Sequence, residues 1–237
     1  MRDQIPEDIT LEARFKRCAI FLNGSYPETH ADFYKRAAAM RRDCTFLIAA
    51  DGALEFFDRA GLEPDLIIGD FDSVSAVTLA KFPAVRRETF DREKDSTDGE
   101  LAVRYALKAG MREIEIFGAV DTRFETDQML ANILLLKIIS DFSNERQLEI
   151  ASRMVDHSQH IYLLKNSAIE LEGEIGDGLS IIPLSSEISL TVEGTKWELR
   201  NQEVKLGSTL SLRNEFASKH AKATVKGLAV IVHRYTE

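Results

Sequence analysis

Leu66-Ile67-Ile68-Gly69-Asp70-Phe71-Asp72-Ser73 is the stretch on which the fold turns. Three aliphatic residues run without a break into a glycine and two acids. An apolar run this short, with no polar alternation, is the pattern of a strand covered on both faces, as in a parallel sheet. The same design recurs on either side of it. Ala19-Ile20-Phe21-Leu22 runs into Asn23-Gly24, Leu47-Ile48-Ala49-Ala50 into Asp51-Gly52, and Ile114-Glu115-Ile116-Phe117 into Gly118-Ala119. Strands are expected over 18–22, 45–49, 65–68 and 113–117. Helices are expected over 31–40, 52–60, 74–81, 98–109 and 127–139. Alternating strands and helices imply an α/β domain whose parallel sheet carries helices on both faces.

From about His160 the pattern changes to short strands and turns, at 161–164, 168–171, 179–183, 188–192, 195–199, 209–212 and 228–232. Ile188, Leu190 and Val192 alternate with polar residues, the period of a half-buried antiparallel strand. Gly207-Ser208 fits a two-residue hairpin turn between 203–206 and 209–212, and Lys226-Gly227 fits another. The expected organisation is an α/β domain over 1–152 and a small antiparallel β-sandwich over 153–237, with the boundary in the polar segment 149–159.

The 237 residues carry 44% hydrophobic and 29% charged side chains and a formal net charge of −9. That balance argues against a nucleic-acid binder, which needs cations to displace counterions from phosphates. It leaves room for a phosphate ligand that arrives with a metal ion. The apolar run 129–139 is interrupted by Asn132 and Lys137 and is shorter than the roughly 20 residues of a membrane span. Residues 1–17 lack the apolar core of a signal peptide. Two cysteines, Cys18 and Cys44, fit buried thiols rather than a disulfide framework. A cytoplasmic protein, with neither membrane nor nucleic acid as partner, is expected.

In an open parallel sheet, ligands bind beyond the carboxyl ends of the strands. One Asp-Gly is commonly no more than a turn, but four glycine-and-acid turns at one edge point to a site. If Asp70-Phe71-Asp72 is extended, its two carboxylates leave on the same side and can share a hard cation. Further on, Thr97-Asp98-Gly99-Glu100 has the capping-box spacing, which puts Asp98 in the first turn of a helix, at its positive end. Asp95 and Asp98 then flank backbone N–H groups that favour phosphate, and Lys94 adds a point charge. No Walker motif and no Gly-x-Gly-x-x-Gly fingerprint occurs.

These motifs occur in the order seen in thiamine pyrophosphokinases. They are Asp51-Gly52, Pro64-Asp65, Gly69-Asp70-Phe71-Asp72-Ser73, Lys94-Asp95-Ser96-Thr97-Asp98-Gly99-Glu100, and Gly118-Ala119 followed by Arg123, Asp127-Gln128 and Leu130-Ala131-Asn132. The chain resembles that family from Asn23-Gly24 to its closing strands. The resemblance implies an α/β domain followed by a β-sandwich, and a homodimer with the active site at the subunit interface. It implies transfer of the diphosphoryl group of ATP to the hydroxyl of thiamine, giving thiamine diphosphate and AMP. By it, Asp70, Asp72 and Asp98 hold Mg²⁺ and are the catalytic acids. Asn23, Gly24, Asp51, Gly52, Lys94, Thr97 and Arg123 surround the ATP. Asp95, Asp127, Trp197, Ser211 and Asn214 meet the acceptor, with Trp197 stacked on the thiazolium cation. Asp98 and Asp72 both remain candidates for the base.

Two stretches depart from the family pattern. Residues 120–128 lack its Gly-Gly pair and carry about two extra residues, which leaves Glu125 as a rival to Asp127. Arg213 stands where a small hydroxyl residue usually precedes the Asn. A diphosphokinase for another alcohol, such as a hydroxymethylpterin, is one alternative. A haloacid-dehalogenase-like phosphatase using Asp70 as nucleophile is a second, although that motif normally lies on the first strand. A non-catalytic nucleotide-binding regulator is a third.

Overall fold

The computed structural model describes residues 15–39, 45–93, 95–120 and 126–236. The chain forms two compact units, 1–157 and 158–237. Among the described residues of the first, the strands are β1 Arg17–Phe21, β2 Thr45–Ala50, β3 Leu66–Gly69, β4 Arg86–Thr89, β5 Glu113–Phe117 and β6 Ala151–Val155. They lie in the order β6-β5-β1-β2-β3-β4, and every pair is parallel. The helices described beside them are α1 Ala31–Ala39, α2 Leu54–Ala60, α3 Ala76–Ala80, α4 Asp98–Lys108 and α5 Thr126–Arg146.

The alternation of a strand explains the two layers of core. All six residues of β2 are buried. Leu47 and Ala49 join Phe21, Tyr34, Phe56 and Phe57 in a cluster with α1 and α2. Phe46, on the other side of the strand, stacks on Tyr105 of α4 with ring centroids 6.5 Å apart. Both faces of the sheet are therefore apolar and covered, which is why these strands read as unbroken aliphatic runs.

In this unit the sequence reading missed β4 and β6. Arg-Arg-Glu-Thr of β4 has no apolar residue to betray it, as suits an edge strand protected by charge. There, the guanidinium of Arg86 donates to Glu88 Oε1 at 2.7 Å. In β6, Arg153 stands opposite Glu115 of β5 and donates to its carboxylate at 2.8 Å. A cross-strand ion pair replaces the apolar signal there. Helix α5 also continues seven residues beyond the expected Ile139, to Arg146.

The second unit is antiparallel. Its strands are β7 Gln159–Glu172, β8 Gly178–Pro183, β9 Glu187–Glu193, β10 Leu199–Lys205, β11 Asn214–Glu215 and β12 His220–Arg234. Here the turn readings need correction. Lys226-Gly227 makes no hairpin, because β12 runs straight through it. Gly227, at φ 117°, marks a break in register, and its N–H donates to Asn166 Oδ1 at 2.8 Å. Before the break β12 pairs with β9, and after it with β8. A bulge that changes partners lets one strand serve both halves, and both halves contribute to one apolar cluster. Nor does Gly207-Ser208 join two strands: β10 ends at Lys205, and 206–213 is turn and coil. Likewise 195–198 is not strand, and the expected strands 161–164 and 168–171 are one strand, β7. Among the described residues no helix is long and apolar enough to cross a membrane. Cys18 is a buried free thiol, pushed well above its ordinary pKa by desolvation. Cys44 lies outside the described residues.

Candidate active site

The chain builds β1 to β4 in one direction across the sheet and then returns to the other side of β1 for β5. Strand order therefore reverses between β1 and β5, the position at which open α/β sheets leave a crevice. Phe21 is in register with Ala49 of β2 and with Phe117 of β5. The polar turns after these strands consequently end at one level. Gly24 and Gly118 come so close that a Cβ on Gly24 would lie 1.9 Å from the Gly118 carbonyl oxygen. Tyr26 closes the floor by donating its hydroxyl to the Leu22 carbonyl at 2.6 Å. Burial pushes that phenol well above its ordinary pKa, so it stays a protonated donor. Asn23 lies over Gly52, where an added Cβ would stand 2.4 Å from Asn23 Oδ1.

Beside this crevice, Asp51, Asp70 and Asp98 each present a carboxylate oxygen, and the three atoms lie within 4.8 Å of one another. Three elements bring them there. Asp51 follows β2 in a left-handed conformation, φ 46°, and opens a short 3-10 turn. Asp70 leaves β3 directly after Gly69. Asp98 is the first residue of α4, whose N-cap Thr97 accepts the Glu100 N–H at 3.2 Å. Only this half of the capping box forms, because Glu100 instead pairs with Arg104. Leu101, Ala102, Tyr105 and Ala106 bury the apolar face of α4, and Gly110 at φ 83° follows its end.

Three carboxylates this close repel one another by on the order of 3 kcal/mol per pair at an effective dielectric near 20. Asp51 is only 5% exposed, and its Oδ1 is buried without a hydrogen-bond partner among the described residues. A buried acceptor left in this way is costly unless a cation meets it. A hard, all-oxygen donor set with one orphaned oxygen fits a divalent ion such as Mg²⁺.

The trio differs from the expected Asp70, Asp72 and Asp98. Phe71 is left-handed, φ 62°, so the segment is not extended and the two-residue spacing no longer sets both carboxylates on one side. Instead the Asp72 N–H folds back to Asp70 Oδ1 at 3.2 Å. Its carboxylate accepts from Ser73 Oγ at 3.1 Å and pairs with Arg92 at 3.2 Å. The acid that meets Asp70 and Asp98 is Asp51, a residue for which the resemblance implied only an ATP contact. A buried acid directly after an all-apolar strand was the available signal.

Asp95 and Thr97 are exposed on the segment leading into α4. Lys94, Arg123 and Glu125 lie outside the described residues. Asp127 is exposed in the first turn of α5. That turn is tied to the β5 edge, for Gln128 donates to Asn132 at 2.8 Å and buried Asn132 donates to the Ala119 carbonyl at 3.2 Å.

In the second unit Trp197 is not core. It sits in the bend between β9 and β10 with 53% of its surface exposed. Asn214 grips its backbone on both sides, accepting the Trp197 N–H at 3.1 Å and donating to its carbonyl at 2.7 Å. The second amide hydrogen of Asn214 reaches Thr195 Oγ1 at 3.1 Å. Ser211 is buried and donates to the Ile181 carbonyl at 2.6 Å, tethering the 206–213 loop to β8. Asn214 and Ser211, two of the five residues that the resemblance gave to the acceptor, bond to backbone here.

Residues 37–148 match the family model described as the thiamin pyrophosphokinase catalytic domain, and residues 166–227 match its vitamin B1 binding domain. A thiamine pyrophosphokinase of Bacillus subtilis is 32% identical over 196 residues, covering 79% of this chain and 86% of that protein. The crystal structure of thiamine pyrophosphokinase from Bacillus subtilis superposes with a TM-score of 0.77 at 27% identity, over 93% of this chain and all of that one. The fold extends to the Candida albicans protein, with a TM-score of 0.75 at 16% identity over 95% of this chain and 91% of the other. With both domain models matched in order and a relative this similar over most of its length, the chain belongs to the thiamine pyrophosphokinase family.

Proposed function

We propose that this chain transfers the diphosphoryl group of ATP to the hydroxyl of thiamine, releasing AMP, with Asp51, Asp70 and Asp98 holding the Mg²⁺ that accompanies the nucleotide. The observation that carries this reading is the meeting of those three carboxylates at the carboxyl edge of a parallel sheet, in a member of this family. When bound, the ion would neutralise phosphate oxygens and screen charge that develops as the alcohol attacks the β-phosphorus in line.

The protein's own groups supply the rest. First-turn N–H groups of α4 and the exposed Thr97 hydroxyl offer donors to phosphate at the positive end of the helix. Gly24, Gly52 and Gly118 let the backbone approach the nucleotide where a Cβ would meet neighbouring atoms. Asn23 and Lys94 are assigned to the triphosphate with Arg123. Asp72 is retained as a fourth acid of this region, and Asp95 and Asp127 as acceptor contacts. The exposed Trp197 ring is the platform for the thiazolium cation, with Asn214 and Ser211 holding that platform and its neighbouring loop.

The catalytic domain is assigned to 1–152 and the thiamine-binding domain to 153–237. The reading also includes a homodimer working in the cytoplasm, whose activity should fall on dilution if the subunit interface completes the site. Incubation of purified protein with thiamine, ATP and Mg²⁺ tests the reaction. AMP and thiamine diphosphate in equal amounts support it, and absence of AMP across pH and divalent metals rejects it.

A further inference from the structure

Lys196 precedes the chain's only tryptophan, and its side chain, 56% exposed, folds back toward it. The Nζ atom lies over the Trp197 ring, 4.6 Å from the centroid. Glu215 of β11 keeps it there from two directions. The Glu215 carboxylate accepts from Nζ at 3.1 Å, and the Glu215 carbonyl accepts the Lys196 N–H at 2.8 Å. Asn214 holds the Trp197 backbone on both sides, which fixes where the ring leaves the chain. An indole with more than half its surface exposed therefore already carries a cation, fixed by its neighbours.

A π face attracts a cation through its quadrupole, and a second positive charge brought to the same ring is repelled by the first. We propose that Lys196 is a specificity-determining residue: a resident cation that competes with the cationic acceptor for Trp197 and sets how tightly the platform binds. This inference rests on the reading of Trp197 as the acceptor's platform. A flat, delocalised thiazolium regains by stacking area what it loses in displacing the ammonium. A compact ammonium ligand gains no more than the lysine already has, so the device also favours aromatic cations over simple amines.

Trp197 is the sole tryptophan, so its fluorescence reports on this ring alone. In the full-length protein, caesium ion quenching and thiamine titration would be compared for the native chain, Lys196→Met and Glu215→Gln. Removing the resident charge is expected to raise caesium quenching relative to neutral acrylamide. It should also tighten thiamine binding about two- to fivefold, the range of one exposed cation–π contact. Glu215→Gln, which loosens the lysine, should fall between, and Lys196→Arg should stay near native. In turnover, Lys196→Met should lower KM for thiamine by the same factor with little change in kcat.

Unchanged caesium quenching in Lys196→Met would overturn the proposal, since no cation then stands over the ring. Raised quenching with equal or weaker thiamine binding would overturn the competition. If quenching rises but thiamine alters the fluorescence of neither protein, the proposal falls with the platform reading itself, and AMP formation measured alongside separates that failure from loss of the activity.

Discussion

Gly69 and Asp98 are packed so closely that a methyl group on the glycine would stand 3.1 Å from Asp98 Oδ1, and 3.1 Å from the Asp51 Cβ as well. Gly69 also holds φ at 148°, which side-chain-bearing residues rarely adopt. Gly69→Ala is therefore expected to spread the three carboxylates. Its stability cost should be about 1–3 kcal/mol, while kcat/KM falls by more than a stability loss of that size explains. Thermal melting with and without Mg²⁺, beside AMP formation, separates the two effects.

Asp51 is predicted to matter more to the metal than Asp72. Asp51→Asn and Asp98→Asn should each abolish most turnover, on the order of 100-fold or more. With EDTA they should melt at or above the native temperature, because a like-charge contact is relieved. Added Mg²⁺ should raise the melting temperature of the native protein and not theirs. Asp72→Asn, whose carboxylate pairs with exposed Arg92, should keep that Mg²⁺ response. Loss of the response in Asp72→Asn alone would reject the geometric trio.

Asn214→Ala removes both clamps on the Trp197 backbone. The single-tryptophan emission should lose anisotropy, and KM for thiamine should rise several-fold while kcat for bound substrate changes less. An unaltered KM would mean the bend holds its shape without this amide.

Asp177 ties the second unit's C-terminus to the turn before β8. Its side chain is almost fully buried, with Oδ2 3.0 Å from His233 Nε2 and Oδ1 accepting from the Thr236 N–H and hydroxyl, each at 2.9 Å. Burial alone pushes its pKa up. The N–H groups of Thr236 and Glu174, the His233 ring and the Thr236 hydroxyl outweigh burial and hold it below the ordinary 3.8. A depressed carboxylate stabilises the fold above its unfolded value, and that contribution disappears as pH falls through the folded one. Native protein should lose this part of its stability only below about pH 3.8. Asp177→Ala should lack it at every higher pH and leave the buried His233 ring and the Thr236 and Glu174 N–H groups without this acceptor, a cost of about 1–3 kcal/mol. Denaturant melts at pH 7 and pH 3 provide the comparison.

The parallel half was legible because its strands are buried on both faces. β5 begins and ends where the apolar pattern does, and α4 opens on its cap. Strands that rely on charge pairs, β4 and β6, left no such pattern. In the second unit Gly227 carries the same local signal in a bulge as in a hairpin turn, since both use a glycine's positive φ. Which one forms depends on β8 and β9, the partners β12 meets on either side of it.

The sequence by itself determined that polar turns follow the aliphatic strands, that Asp98 begins a helix, and that the family motifs stand in order. Each is a local matter of periodicity, capping and residue type. Only the tertiary structure decided which acids meet. Left-handed Phe71 folds Asp72 back so that its N–H meets Asp70, and the alignment of β1, β2 and β3 brings Asp51 to Asp70. One backbone torsion and one sheet register separate the two sets, and neither is written in the spacing of the aspartates. The same holds at Trp197, where the neighbouring lysine in the chain lies on the ring because a glutamate on another strand holds it there.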